Sequence, residues 1–348
     1  SHVALLPLVA LTGTTVGSFL WGWLADIYGR RVSILLSTIL FVSTAICGAM
    51  PKFEWNLVMC FLMGISAGGM LPVIYTLLAE VMPPRHRSWV LVLVGGTGLV
   101  GGYLAASGAA YVLEPIYGWR ALWLQGFPSG LLLLALARFI PETPRFLAER
   151  GRTAELAAMQ RKFGLQPKPR PVQPPSDAPT PAGHRQITVA LTVTALCWSF
   201  VNFGLLLWLP SDLQARGYSA EIASGILAKS SLLAFPTILL AAYFYARHSS
   251  KWTLVGTVSL TVIGLLGALL PAELLSWEPM LVSVIAILIV GTNGTIAVLL
   301  PYTAENYPLG NRGRATGLVA GSSKFGGVAV QVAALAGFAP TLVGAALA

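Results

Sequence analysis

Ten times in 348 residues the chain runs for about twenty positions with almost no charge. A helix of about 20 apolar residues crosses roughly 30 Å of hydrocarbon, so ten such runs leave little chain for anything but membrane spans. They lie at 4–24, 32–50, 56–78, 89–112, 120–140, 187–209, 222–245, 252–270, 279–302 and 315–338, with a stub at 340–348 that could begin another. Lipid offers backbone N–H and C=O groups no partner, which restricts spanning segments to helices and closed barrels. Barrel strands read as alternating segments of about ten residues, whereas these runs are continuous and twice as long. An all-α, multi-pass membrane protein follows. Composition agrees: 10% of the residues are charged, against the roughly 25% of soluble domains.

The formal net charge of +9 could indicate nucleic acid if it clustered on a soluble face. It is spread over short loops instead. Seventeen of the 22 Lys and Arg fall in alternate connections, while the opposite connections hold Lys52, Arg120 and Arg216. Lys229 and Lys324 fall inside apolar runs. Short loops rich in Lys and Arg stay in the cytoplasm. The loops at 25–31, 80–88, 141–186, 246–251 and 304–314 are therefore expected on the cytoplasmic side of the cell (inner) membrane, with no nucleic-acid partner. Cys47, Cys60 and Cys197 sit inside apolar runs, and the four histidines are scattered. Neither pattern has the spacing of a disulfide framework or a metal site, so no metal and no cofactor is expected. An intramembrane enzyme needs a clustered nucleophile and base. Ser230 and Ser231 beside Lys229 have no His or Asp near them in sequence, so the expectation is that the chain is not an enzyme.

The longest connection, 141–186, has two parts. Pro144 to Gly164 reads as an amphipathic helix on the membrane face, and the proline-rich stretch after it as extended chain. The expected division is a bundle of five spans at 1–140, a cytoplasmic linker at 141–186, and a bundle of five spans plus the stub at 187–348. An internal repeat supports it. Ala79-Glu80-Val81-Met82-Pro83 with Arg87 returns 225 residues later as Ala304-Glu305-Asn306-Tyr307-Pro308 with Arg312. Internal repeats on either side of a long linker are a transporter architecture.

The most specific motif is Gly22-Trp23-Leu24-Ala25-Asp26-Ile27-Tyr28-Gly29-Arg30-Arg31, between the first two runs. Taken alone, Asp26 and Arg30 make an interfacial ion pair beside positive-inside residues. The whole pattern, G-x-L-A-D-x-x-G-R-R, resembles the signature loop of the major facilitator superfamily. Pro141-Glu142-Thr143-Pro144-Arg145-Phe146-Leu147 with Gly151-Arg152 resembles the segment after the sixth helix in its sugar-porter and metabolite:proton symporter branches. Tyr117-Gly118-Trp119-Arg120, Gly64-Ile65-Ser66-Ala67-Gly68-Gly69 and the two A-E-x-x-P copies fit the same family. The resemblance implies a fold of two pseudo-symmetric helical bundles that rock in alternating access, here without the family's first helix and most of its twelfth. It also implies a cytoplasmic gate of Asp26, Gly29, Arg30, Arg31, Glu80, Arg87, Glu305 and Arg312. Two departures stand out. The second-half counterpart of the signature loop, Ala246 to Lys251, keeps basic charge but lacks the Asp and the Gly. Cys60 occupies the place of an Arg common in the family's fourth helix.

An ionisable residue inside the membrane is a functional candidate by default. Lys324 lies ten residues beyond Arg314, roughly 15 Å along a helix and close to the midplane. It would meet an anionic group, or else be a structural pair or a lysine neutralised by burial. Lys229, whose long stem could instead snorkel to the outer surface, completes the candidate substrate site with Trp198 and the amides Asn202, Asn293 and Gln331, for which helix packing is the competing role. Pro72, Pro128 and Pro236 are candidate kinks. No carboxylate stands mid-span. The expected function is secondary transport of a small organic solute, an anion by the sign of Lys324, with protons as coupling ion and the bilayer as surroundings, by a monomer. The competing reading is a transport-inactive or truncated relative acting as a receptor, or a non-functional fragment.

Overall fold

The computed structural model describes residues 4–163, 182–307 and 309–339, and every regular element among them is helical. The helices are α1 (Leu5–Tyr28), α2 (Arg30–Thr44, ending in a 3₁₀ turn, Ala45–Ala49), α3 (Phe53–Val81), α4 (Pro84–Tyr117), α5 (Arg120–Leu124), α6 (Gly126–Ala137), α7 (Pro144–Glu149), α8 (Thr153–Phe163), α9 (Ala182–Phe200, followed by a π-helical turn, Val201–Leu206), α10 (Leu209–Ala215), α11 (Ala220–Ala234), α12 (Thr237–Arg247), α13 (Ser250–Ala268), α14 (Ala272–Leu275), α15 (Glu278–Asn306) and α16 (Leu309–Leu335). Among the described residues ten stretches are long and apolar enough to cross a membrane, matching the ten runs in the sequence.

Two of the helices overrun their apolar runs at both ends. The run at 89–112 lies within the 34 residues of α4, and that at 279–302 within the 29 of α15. Hydropathy ends where polar side chains begin, but i→i−4 bonding continues until a cap or breaker stops it. Two of the expected kinks coincide with breaks. Pro236 separates α11 from α12, and the break between α5 and α6 precedes Pro128. Pro72 does not break its helix, since α3 runs on through it. The single amphipathic helix expected from Pro144 to Gly164 is two helices, because Gly151 with φ +69° reverses the chain between α7 and α8. The proline-rich stretch after it, and the stub at 340–348, lie outside the described residues.

The chain divides into two compact units. One comprises Val9–Arg87 and Trp123–Pro175. Its centre is the seam of α1 against α3. A Cβ on Gly13 would stand 2.3 Å from the Phe61 carbonyl oxygen, and one on Gly68 would stand 2.0 Å from that of Thr14. Backbones this close allow only glycine, and close approach is what drives helix association in lipid. Trp21 Nε1 donates to Ile65 O at 2.8 Å across the same seam, and Ser18 Oγ to Gly68 O at 2.8 Å.

The other unit comprises Ser1–Leu8, Ser88–Leu122 and Ser176–Ala348. The most buried helix here is α15, with Ile289, Val298 and Leu299 at 0% exposure. It packs on α13, where a Cβ on Gly291 would meet Thr261 N at 2.3 Å. α4 belongs to this unit over most of its length: Val100 joins the cluster of Leu206, Ile226, Ile238 and Ile285, and Gly96 lies against Ile238.

Candidate functional site

The signature loop turns at Gly29, whose φ of +99° disfavours any residue with a Cβ. That Cβ would also stand 2.2 Å from Glu142 Oε2. The bare glycine lets the Glu142 carboxylate reach the N-terminus of α2, where it accepts hydrogen bonds from Arg30 N at 2.9 Å and Arg31 N at 3.2 Å. It also accepts from Thr143 N at 3.0 Å. A helix N-terminus presents unpaired N–H groups and a partial positive charge, so a carboxylate there is doubly favoured. Arg30 is almost enclosed. Its guanidinium lies 2.9 Å from Asp26 and 4.0 Å from Glu80, and donates to Ala25 O at 2.7 Å. Arg150 of the linker donates to Ile27 O in the same turn. Arg31 is exposed, and Arg87 donates to Met82 O at 3.4 Å.

Asp26, Arg30 and Glu80 of α3 thus come together around the turn at Gly29. Glu142 is the member of this cluster that sequence reasoning missed. It stands in a motif already singled out, but its link to Arg30 spans 112 residues and no local pattern encodes it.

The second-half counterparts are built differently. Glu305 is the penultimate residue of α15, as Glu80 is of α3, and both helices have 29 residues. Glu305 is exposed. The side chain of Arg312 lies outside the described residues.

A polar cluster forms where the π turn of α9 meets α16, α15 and α4. In that turn Leu207 N reaches back five residues to Asn202 O at 3.1 Å. Such wide turns recur at functional sites. Asn202 is buried and its Oδ1 accepts from Tyr103 Oη of α4 at 3.1 Å. Gln331 of α16 clasps the turn from the other side, accepting from Trp208 Nε1 at 3.1 Å and donating to Phe203 O at 2.9 Å. Trp198 Nε1 donates to Thr292 O of α15 at 2.7 Å, and its ring meets Phe203 edge to face at 5.8 Å. Gly326 and Gly327 admit α9 to this depth: a Cβ on the second would stand 2.6 Å from the Phe203 ring. Tyr103 was missed in sequence because a tyrosine in an apolar run resembles core.

Lys324 precedes Gln331 by seven residues on α16, two turns along the same helix face. It is half-buried near the middle of the helix, and no described residue pairs with it. Lys229, by contrast, is exposed and ion-paired with Glu278 at the start of α15. Asn293 is buried on another face of α15, and neither of its amide atoms has a partner among the described residues.

The fold matches that of an Escherichia coli proton:xylose symporter with a TM-score of 0.74, over 100% of this chain and 84% of that one, at 18% identity. The chain is 27% identical to a niacin transporter of Acinetobacter baylyi over 93% of its own length and 76% of that protein's. Against a benzoate transport protein of the same species it is 25% identical over 92% of its length and 72% of the relative's. Residues 1–331 match the sequence profile described as Major Facilitator Superfamily. A match over so much of the chain, on ten spans and an ion-paired signature turn, makes the protein a member of the major facilitator superfamily, whose members are membrane transporters and not enzymes.

Proposed function

We propose that the protein is a secondary transporter carrying a small organic anion by alternating access, with Lys324 as the charge that meets the solute. The carrying observation is Lys324 itself, half-buried near mid-helix with no described partner. The named solutes of the relatives, niacin and benzoate, are aromatic carboxylates, which supports an anion of that kind. Asn202, Trp198 and Gln331 supply amide and indole groups, and Lys229 a second cation paired with Glu278; Asn293, the remaining candidate, lines a separate cavity. We place the loops at 25–31, 80–88, 141–186, 246–251 and 304–314 on the cytoplasmic side of the inner membrane. There Asp26, Gly29, Arg30, Arg31, Glu80, Arg87, Glu305 and Arg312 serve as the gate, in a monomer that couples uptake to protons.

The test is uptake of radiolabelled nicotinate and benzoate into vesicles holding the purified protein. Lys324→Ala should lower uptake about tenfold or more, the equivalent of 1.4 kcal/mol or above in binding, while Lys324→Arg retains most of it. Normal uptake by a well-inserted Lys324→Ala protein would remove the anion argument. Collapsing an imposed pH gradient should lower uptake too; indifference to it would replace coupled transport with facilitated diffusion.

A further inference from the structure

Within the unit that contains α15, a cavity of about 470 Å³ lies among α4, α12, α13 and α15. That volume falls in the roughly 300–1,000 Å³ range of small-molecule sites. Its walls include Val92, Ile238, Phe244, Trp252, Gly256 and Asn293. The lining of α13 runs from Ser249 to Leu260, about 16 Å along the helix axis, so the cavity is a slot. Of the candidate substrate-site residues Asn293 lines it, whereas Lys324, Lys229, Asn202, Gln331 and Trp198 do not.

Two features distinguish the slot from a packing gap. Its mouth is mostly apolar, with Leu240, Phe244 and Trp252 exposed along it beside His248. Its back wall holds a carboxamide. Val290, Asn293, Gly294 and Ala297 occupy one face of α15 and all four line the slot. Asn293 is 0% exposed, and its Oδ1 and Nδ2 both lack a partner among the described residues. A buried amide with neither atom satisfied carries the full desolvation cost of both groups, and buried polar groups are ordinarily paired. Dry apolar walls do not hold water well, because a stable buried water needs two to four polar partners.

We infer that this slot is a second binding site, distinct from the transport site, for an uncharged lipophilic molecule bearing one group that both donates and accepts a hydrogen bond, a hydroxyl or a carboxamide. The donor and acceptor of Asn293 match such a group. The apolar walls take the rest of the molecule, and the apolar mouth admits it without exposing it to water. No Lys, Arg, Asp or Glu lines the slot among the described residues, and its titratable wall residue is His248 at the α12 end, which favours an uncharged molecule over an ion.

The experiment is photolabelling of the full chain in lipid nanodiscs with an octanol carrying a diazirine, compared with the matching diazirine-bearing octane. Mass spectrometry then locates the adducts. Saturable labelling by the alcohol on the segments holding Phe244 and Trp252, weak for the alkane and reduced about tenfold by Asn293→Leu, supports the site. Gly256→Leu is the second variant. A Cβ at Gly256 meets nothing within 4 Å, so this slot-lining position has room for a side chain to enter. The substitution should abolish the saturable labelling even where Asn293→Leu folds poorly. Labelling that rises linearly and equally for alcohol and alkane, or that survives Gly256→Leu, overturns the proposal and leaves ordinary lipid contact. Neither result depends on Lys324 or on uptake, so this site and the transport reading fail independently.

Discussion

Two loops lead into spanning helices at corresponding places in the repeat, and they satisfy the same need by different means. The loop before α2 ends in Gly29, which has no side chain to cap the helix. Its acceptor is imported: Glu142, 112 residues away, binds Arg30 N and Arg31 N. The loop before α13 ends in Ser249, whose own hydroxyl accepts from Trp252 N at 3.4 Å. The first arrangement ties the linker to the loop through a charged bond and adds Arg30 between Asp26 and Glu80. In the second, Lys251 lies 6.0 Å over the Trp252 ring and the cap is local and neutral. A motif that has lost its Asp and Gly therefore still starts a helix, but it no longer holds a distant segment. Helix capping and long-range coupling are separable properties of this loop.

That contrast can be tested by unfolding the purified protein in mixed micelles. Arg30→Ala should have the largest effect, about 3 kcal/mol, because it leaves the poorly exposed Glu80 carboxylate without its counter-charge. Glu142→Ala should follow at about 2 kcal/mol, since it orphans charge-assisted hydrogen bonds at the start of α2. Glu142→Gln keeps an acceptor and should recover part of that loss. Ser249→Ala removes a local cap and should cost about 1 kcal/mol. Asp26→Asn should be smallest, about 0.5 kcal/mol or less, because Asp26 is 73% exposed and water screens its pair with Arg30. Equal losses for Glu142→Ala and Ser249→Ala would erase the distinction. Added protease sensitivity of α7 and α8 in Glu142→Ala, absent in Ser249→Ala, would sharpen it to a statement about the linker.

The repeat illustrates how far a pattern carries. Glu80 and Glu305 were paired from a few shared letters, and they occupy the same penultimate position of two 29-residue helices. The surroundings of the two glutamates do not follow from those letters. Glu80 faces Arg30 at the edge of contact, while Glu305 is exposed. Lys324 was recognisable because a cation inside an apolar run is costly wherever the helix turns. Tyr103 and Glu142 were not, since each acquires its role from a partner far along the chain.

The sequence by itself determined that this protein spans a membrane many times with apolar helices and carries the signature turn of its family. Those properties rest on run length, charge placement and glycine, all local quantities that lipid makes decisive. Only the tertiary structure decided that Glu142 caps α2, that α4 packs on α12 by way of Gly96 and Ile238, and that Gln331 clasps a π turn beside Asn202. These are choices among partners, and in a chain where most surfaces are apolar, hydropathy cannot rank them. Close backbone approach and the pairing of a few buried polar atoms can.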